Sequence, residues 1–104
     1  MYILVYITTS GKVESEKIAK ILLDERLVGC TNILPSIKSI YHWEGQMEED
    51  AESLLIAKTD TSKIENIIEK VKEVHSYDNP CILAIPVIHG SQDYLNWLEN
   101  ELAK

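Results

Sequence analysis

The chain has 104 residues, enough for one domain and too few for two ordinary ones. Its hydrophobic content of 45% and charged content of 26% are typical of a globular protein. A net charge of −7 disfavours nucleic acid and anionic membranes as partners, because both require a positive protein surface. No apolar run approaches the roughly 20 residues that span a bilayer, and the first residues lack the basic region of a signal peptide. We therefore expect one cytoplasmic domain over residues 1–104.

The first part of the chain predicts a strand followed by a helix. Residues 2–8 form an uninterrupted apolar run, which is typical of a strand covered on both faces. Apolar residues then recur at helical spacing from Ile18 to Leu27. Gly29, preceded by Arg26, is expected to end this helix.

A long hairpin is predicted next. Residues 31–43 alternate as a strand, with Ile33, Ile37, Tyr41 and Trp43 assigned to one face. Pro35 has no amide hydrogen to donate, so it indicates a sheet edge or a bulge. A turn at residues 44–46 leads into a returning strand at residues 51–59. A hairpin longer than a small core requires is usually covered by a partner subunit.

The remainder predicts a helix, a short strand and a final helix. Ser62 and Glu65 match a capping box, and the following apolar stripe ends near His75. Residues 81–87 form a strand with Pro86 at an edge, and Ser91 is placed to cap the last helix. The order β-α-β-β-α-β with an added C-terminal helix predicts an α+β, ferredoxin-like fold. The sheet face opposite the two main helices needs cover, which favours an oligomer.

Residues around one proline turn are the candidate metal ligands. His75, Asp78 and Cys81 are close in sequence, and histidine and cysteine suit copper or zinc. Their spacing matches no standard motif. The alternative is a histidine favoured by the helix dipole at a C-terminus, beside a buried cysteine. Cys30 and Cys81 form neither a CxxC motif nor a disulfide framework, and we expect both thiols to be reduced.

Catalytic arrangements are weakly supported. Cys81 with His75 or His89 is the one nearby nucleophile–base pair, and a strand between Cys81 and His89 would separate those two by more than about 20 Å. The Thr8–Gly11 turn lacks the lysine or arginine that would hold a phosphoryl group. We expect no enzyme activity and no organic cofactor.

Several segments together resemble the CutA family of divalent-cation tolerance proteins. The resemblance covers nearly the whole chain and rests on LVGCTNI, SIYHWEGQMEED, LLIAKT, HSYDNP and PVIHGSQDYLNWL. Two elements are specific in combination: YxWxG at residues 41–45 and GxxxYLxWL at residues 90–98. The resemblance implies a ferredoxin-like fold, a tight homotrimer with the hairpin lying across neighbouring subunits, a cytoplasmic location and association with copper or other divalent cations. It also implies an architecture similar to that of the trimeric PII signalling proteins.

The site residues of this family carry over unevenly. The family element HPYE appears as His75-Ser76-Tyr77-Asp78. A copper-ligand set proposed within the family uses this histidine, a cysteine at the end of the first strand and a glutamate after the next proline. Here those last two positions are Thr8 and Cys81, so the thiol of Cys81 would be a soft substitute.

Three functions follow from these expectations. The first is a homotrimer that binds copper or a similar divalent cation weakly, through His75, Asp78 and Cys81. The second is a PII-like module that binds a small molecule between subunits, with Lys58, Tyr77 and Trp43 lining the pocket. The third is a scaffolding trimer with incidental metal binding by surface carboxylates.

Overall fold

The computed structural model describes residues 1–104 and has four strands and three α-helices. In chain order they are β1 (Tyr2–Thr9), α1 (Lys12–Asp24), β2 (Cys30–Trp43), β3 (Gln46–Asp60), α2 (Ile64–Val74), β4 (Ile82–Pro86) and α3 (Gln92–Leu102). The strands form one antiparallel sheet in the order β2-β3-β1-β4. This confirms the predicted ferredoxin-like order with an added C-terminal helix. None of the helices is long and apolar enough to cross a membrane.

The hydrophobic core lies between the sheet and helices α1 and α2. Alternate residues of β1 are buried, because successive strand side chains point to opposite faces. The buried ones meet the apolar stripes of both helices in a single cluster formed by Ile3, Val5, Ile7, Ile18, Ala19, Leu22, Val28, Leu55, Ala57, Ile67 and Val71. We call this side of the sheet the helix face and the other side the open face.

The open face is only partly covered by this chain. The residues of β1 that point to it are half-buried, so the prediction of a strand buried on both faces is wrong for a single chain. Large apolar side chains remain uncovered there, with Leu34 44%, Leu83 58% and Ile85 43% exposed. α3 reaches only one end of this face, where Leu98 is buried.

A β-bulge changes the facing of strand β2. Leu34 pairs with Leu54, but Ile37 pairs with Glu52, so one extra residue is inserted on β2 between these pairs. Ile33, opposite Leu55, therefore lies on the helix face, whereas Ile37 lies on the open face. The sequence correctly indicated an irregularity at Pro35. The assignment of Ile33 and Ile37 to one face was wrong because that irregularity reverses the alternation.

The hairpin of β2 and β3 extends beyond the helices. Its turn has two residues, Glu44 and Gly45, with φ of 49° and 79°, the left-handed conformation that two-residue hairpins require. All residues from 41 to 50 are exposed. The radius of gyration is 14.3 Å, against about 13 Å for a compact chain of this length.

Two predicted helix ends differ from the structure. The helix α1 ends at Asp24, and Arg26 adopts the left-handed conformation (φ 56°) that was expected of a glycine. Before α2, the Asp60 carboxylate accepts a hydrogen bond from the Ser62 amide and caps a 3-10 turn. Ser62 is thus the donor and not the predicted cap.

Candidate functional site

A cavity of about 590 Å³ lies on the open face where the hairpin leaves the sheet. Strand register places its lining from β1, β2 and β3 on one side of the sheet, and the turn before β4 closes it. It is lined by Thr8, Ser39, Tyr41, Trp43, Asp50, Glu52, Tyr77, Asp78, Asn79 and Cys81. We call it the hairpin cavity. Its lining contains three aromatic rings, three carboxyl groups and one thiol, and no basic side chain.

Two tyrosine hydroxyls donate to carboxylates in this cavity. Tyr77 donates to Glu52 Oε2 at 2.8 Å, and Tyr41 donates to Asp50 Oδ2. The bond to Asp50, followed by desolvation and the nearby carboxylates, raises the pKa of Tyr41 to about 12. Burial, followed by the bond to Glu52, raises the pKa of Tyr77 well above its usual value. Both phenols therefore remain neutral donors at physiological pH.

His75 holds Tyr77 in place through a backbone hydrogen bond and a ring contact. The Tyr77 amide donates to His75 Nδ1 at 3.0 Å, so the ring hydrogen lies on Nε2, which donates to the Thr8 carbonyl at 2.9 Å. The two rings contact each other with centroids 4.7 Å apart. His75 is only 9% exposed. Both ring nitrogens are occupied by backbone partners, so neither is free to bind a metal ion.

Glu14 fastens the turn that carries this histidine. The carboxylate accepts from the amide and hydroxyl of Ser76 at 2.7 and 2.9 Å, and from the amide and hydroxyl of Ser10 at 2.9 Å each. Burial alone would raise the pKa of Glu14, but these four bonds outweigh it and lower the pKa to about 2. Glu14 thus connects the β1–α1 turn to the α2–β4 turn.

The predicted metal ligands are not gathered into a site. Asp78 and Cys81 line the hairpin cavity, whereas His75 lies behind it with both nitrogens in use. Nowhere in residues 1–104 do three histidine, cysteine, aspartate or glutamate side chains converge as metal ligands. The structure therefore contains no preformed chelating site for a resident ion.

The predicted small-molecule pocket is divided between two places. Tyr77 and Trp43 share the hairpin cavity, but Lys58 lines a smaller cavity of about 210 Å³ beside α3. There Lys58 Nζ lies 3.8 Å from Cys30 Sγ and 5.5 Å from the centroid of the Tyr94 ring. Within the single chain, Lys58 therefore lies beside α3 and lines a different cavity from that of Tyr77.

Sequence reasoning missed Asp50 and Glu52, which carry much of the charge in the hairpin cavity. A two-residue turn at Glu44 and Gly45 fixes the pairing of the two strands. Trp43 then pairs with Gln46, and each step back along β2 pairs with one step forward along β3. Counting back from that turn places Ile37 opposite Glu52 and Ser39 opposite Asp50. The sequence therefore indicates that Asp50 and Glu52 face Ser39 and Ile37, but only if the turn is assigned to residues 44–45 and not to residues 44–46.

Comparison with known proteins decides the family. The model of the family described as CutA1 divalent ion tolerance protein matches residues 3–101. The chain belongs to the CutA1 family. The match confirms the resemblance drawn from the sequence motifs.

Members of this family are similar along nearly the whole chain. The divalent-cation tolerance protein CutA of Archaeoglobus fulgidus is 42% identical over 99 residues, covering 95% of this chain and 96% of the relative. A solved structure described as a periplasmic divalent cation tolerance protein CutA from Archaeoglobus fulgidus superimposes with a TM-score of 0.95 at 40% identity, covering 98% of this chain and 99% of that one.

Plant members are longer than this chain. The chloroplastic CutA of Arabidopsis thaliana is 43% identical over 98 residues, which cover 94% of this chain and 54% of the relative. For the chloroplastic relative of Oryza sativa the second share is 55%. The chain thus spans about half the length of these plant CutA proteins.

Proposed function

We propose that this CutA protein acts as a cytoplasmic homotrimer in tolerance of divalent cations and binds copper or similar ions weakly in the hairpin cavity. The observation that carries the proposal is the group of Asp50, Glu52 and Asp78 in one cavity with the Cys81 thiol and no basic side chain. Carboxylates and a thiol attract divalent cations, and a thiol suits copper or zinc. The family match to divalent-cation tolerance proteins supports the same assignment.

Weak binding follows from the arrangement of these groups. A tightly held ion requires ligands that converge at distances of about 2.0–2.6 Å. The cavity has no such convergent set, and His75 would have to give up a backbone hydrogen bond to join one. The ion is accordingly proposed as an exchangeable ligand and not as a structural cofactor. The proposal includes no catalytic step.

The trimer is supported by the open face and the hairpin. Leu34 on one edge strand and Leu83 and Ile85 on the other lie exposed on the same face of the sheet, and exposed apolar surface of this kind typically marks an interaction site. The protruding hairpin has no core of its own beneath it. A second and third copy packed on these surfaces would cover the apolar side chains and part of the hairpin.

Equilibrium dialysis tests the cation proposal. Wild type should bind Cu(II) or Zn(II) in competition with magnesium, and the double variant Asp50→Asn/Glu52→Gln should bind at least several-fold less. His75→Ala should weaken binding less than the double variant does, because His75 acts on the cavity only through the position of Tyr77. Absence of binding above a buffer blank, or equal binding by the double variant, would refute the cavity as the ion site.

The compartment is testable independently. Both cysteines are free thiols, which suits a reducing compartment. Fractionation of the native host should recover the protein with cytoplasmic markers. Recovery with periplasmic markers, the location given for the Archaeoglobus relative, would contradict this part of the proposal.

A second function is a regulatory module that binds a small molecule, as in the PII-like alternative. The observation that favours it is the size and aromatic lining of the hairpin cavity, since 590 Å³ lies within the range of about 300–1,000 Å³ found for ligand pockets. A thermal-shift screen of nucleotides, amines and other metabolites tests it. No stabilisation by any compound would argue against this function and favour a scaffolding trimer.

A further inference from the structure

We propose that the hairpin cavity binds a small organic ammonium ion. The inference rests on the second function above and names the chemical class of its ligand. Three features carry it: exposed aromatic rings, carboxylates held among those rings, and a lining without any group that would repel a cation. Each feature is a recognised element of ammonium recognition, and all three occur in one cavity.

The aromatic rings present accessible surface to a ligand. In the single chain Trp43 is 58% exposed and Tyr41 39% exposed, and Tyr77 closes the cavity from the α2–β4 turn. Tyr41 and Trp43 lie on the same face of β2, two residues apart, so their side chains are neighbours along the strand. The negative potential of an aromatic face attracts a cation within about 6 Å, and tryptophan does so most strongly.

The carboxylates are oriented towards the same space. Asp50 and Glu52 are two residues apart on β3, so both side chains point to the open face. They lie opposite Ser39 and Ile37 of β2. Each accepts one tyrosine hydroxyl through a single oxygen, Oδ2 of Asp50 and Oε2 of Glu52. The other oxygen of each carboxylate has no protein partner, so it is free to pair with a bound cation.

Size and geometry suit an organic cation, which this cavity can hold without a set of short ligand bonds. A divalent ion needs several ligand atoms at short, fixed distances, and the cavity gathers no such set. A volume of about 590 Å³ accommodates a small molecule. Cation–aromatic attraction tolerates a loose wall, because it acts at several ångströms and has a broad angular range. A carboxylate-lined cavity with no basic group also excludes anions.

Choline and its neutral carbon analogue 3,3-dimethyl-1-butanol provide a matched test, because the two differ chiefly in charge. The titration uses the assembled full-length protein carrying Trp97→Phe, which leaves Trp43 as the single tryptophan reporter. Choline should change Trp43 fluorescence saturably. The neutral analogue should bind at least tenfold more weakly, since it lacks the attraction to the rings and carboxylates.

Variants identify the site. Asp50→Asn and Glu52→Gln should each weaken choline binding several-fold, while Glu99→Gln, which removes an exposed carboxylate on α3, should leave it unchanged. Circular dichroism confirms that each variant is folded. Tyr41→Phe should also weaken binding, because it releases the Asp50 carboxylate from its fixed position.

The outcomes separate this inference from the metal proposal. No saturable response of Trp43 to choline, equal affinity for the neutral analogue, or equal loss in the Glu99→Gln control would overturn the inference. Copper binding in dialysis with the same preparation would then leave the cation-tolerance proposal standing. Choline binding without copper binding would support the inference and refute the metal site.

Discussion

Single polar side chains fix the local structure beneath the hairpin cavity. Glu14 bonds two serines that lie 66 residues apart in sequence, Ser10 and Ser76, so one carboxylate sets the relative position of two turns. His75 then accepts from the Tyr77 amide through Nδ1 and donates to the Thr8 carbonyl through Nε2, so it ties Tyr77 to β1. Neither function could be predicted from local sequence pattern, because both depend on contacts formed only when β1 and α2 meet.

Replacement of Glu14 should give a pH-dependent loss of stability. The native pKa of about 2 lies below the ordinary value of 4.5, so the carboxylate stabilises the fold above about pH 4.5, and this contribution disappears as the pH falls towards 2. Glu14→Gln should lower the free energy of unfolding by about 1 kcal/mol at neutral pH, since the bonds are partly exposed to solvent.

The measurement for Glu14 is urea denaturation across this pH range at one fixed protein concentration. The difference between wild type and Glu14→Gln should shrink towards zero near pH 2. Glu69→Gln, at an exposed position of α2, is the matched control and should show no comparable gap. A difference independent of pH would mean that Glu14 stabilises the protein by packing alone.

Secondary-structure elements show what periodicity can and cannot predict. The stripe of α2 and the run of β1 were correctly predicted, because both follow from spacing within about ten residues. The faces of β2 were not, since the bulge between Leu34 and Ile37 inserts one residue and reverses all later side chains. Of the three residues predicted to line one pocket between subunits, Trp43 and Tyr77 share the hairpin cavity of the single chain. Lys58 lines another cavity, because strand pairing places it further along the sheet.

Gly29 was expected to end α1, but α1 ends at Asp24, and a side chain at position 29 would instead collide with α3. A Cβ there would lie 2.5 Å from Leu98 Cδ1, so the glycine allows α3 to approach the start of β2. Leu98 is 2% exposed and has little room to move. Gly29→Ala should therefore destabilise the protein by about 1–2 kcal/mol, the usual cost of overpacking a core.

Thermal or urea unfolding compared with Gly11→Ala tests the approach of α3. A Cβ at Gly11 meets nothing within 4 Å, so that variant controls for the loss of glycine itself. Trp97 fluorescence should change in Gly29→Ala alone, because α3 must shift. Equal stability of the two variants would contradict the packing argument.

At the scale of the whole chain, one side of the sheet is covered by helices and the other side only in part. Helices α1 and α2 cover the helix face, and α3 covers one end of the open face. No helix or strand of residues 1–104 covers the remaining surface, and the β2–β3 hairpin extends away from the core. In the proposed trimer, identical chains would cover this surface and support the hairpin, and the hairpin cavity would lie next to a neighbouring subunit.

Leu83→Asp should break the proposed trimer while leaving the chain's own core intact. Leu83 is 58% exposed on the open face of β4, so a free chain tolerates an aspartate there. In the trimer the same carboxylate would be buried with no opposite charge or hydrogen-bond donor to pair with it. Closed symmetry repeats the substitution in every subunit, which multiplies its effect. Light scattering should give three times 11.8 kDa for wild type and a lower mass for the variant.

Val13→Asp, at an 81% exposed position of α1, adds the same charge to the helix side and should retain the wild-type mass. A trimeric mass for both variants would place the interface elsewhere, and a monomeric wild type would refute the assembly and leave the open face as a surface for a different partner.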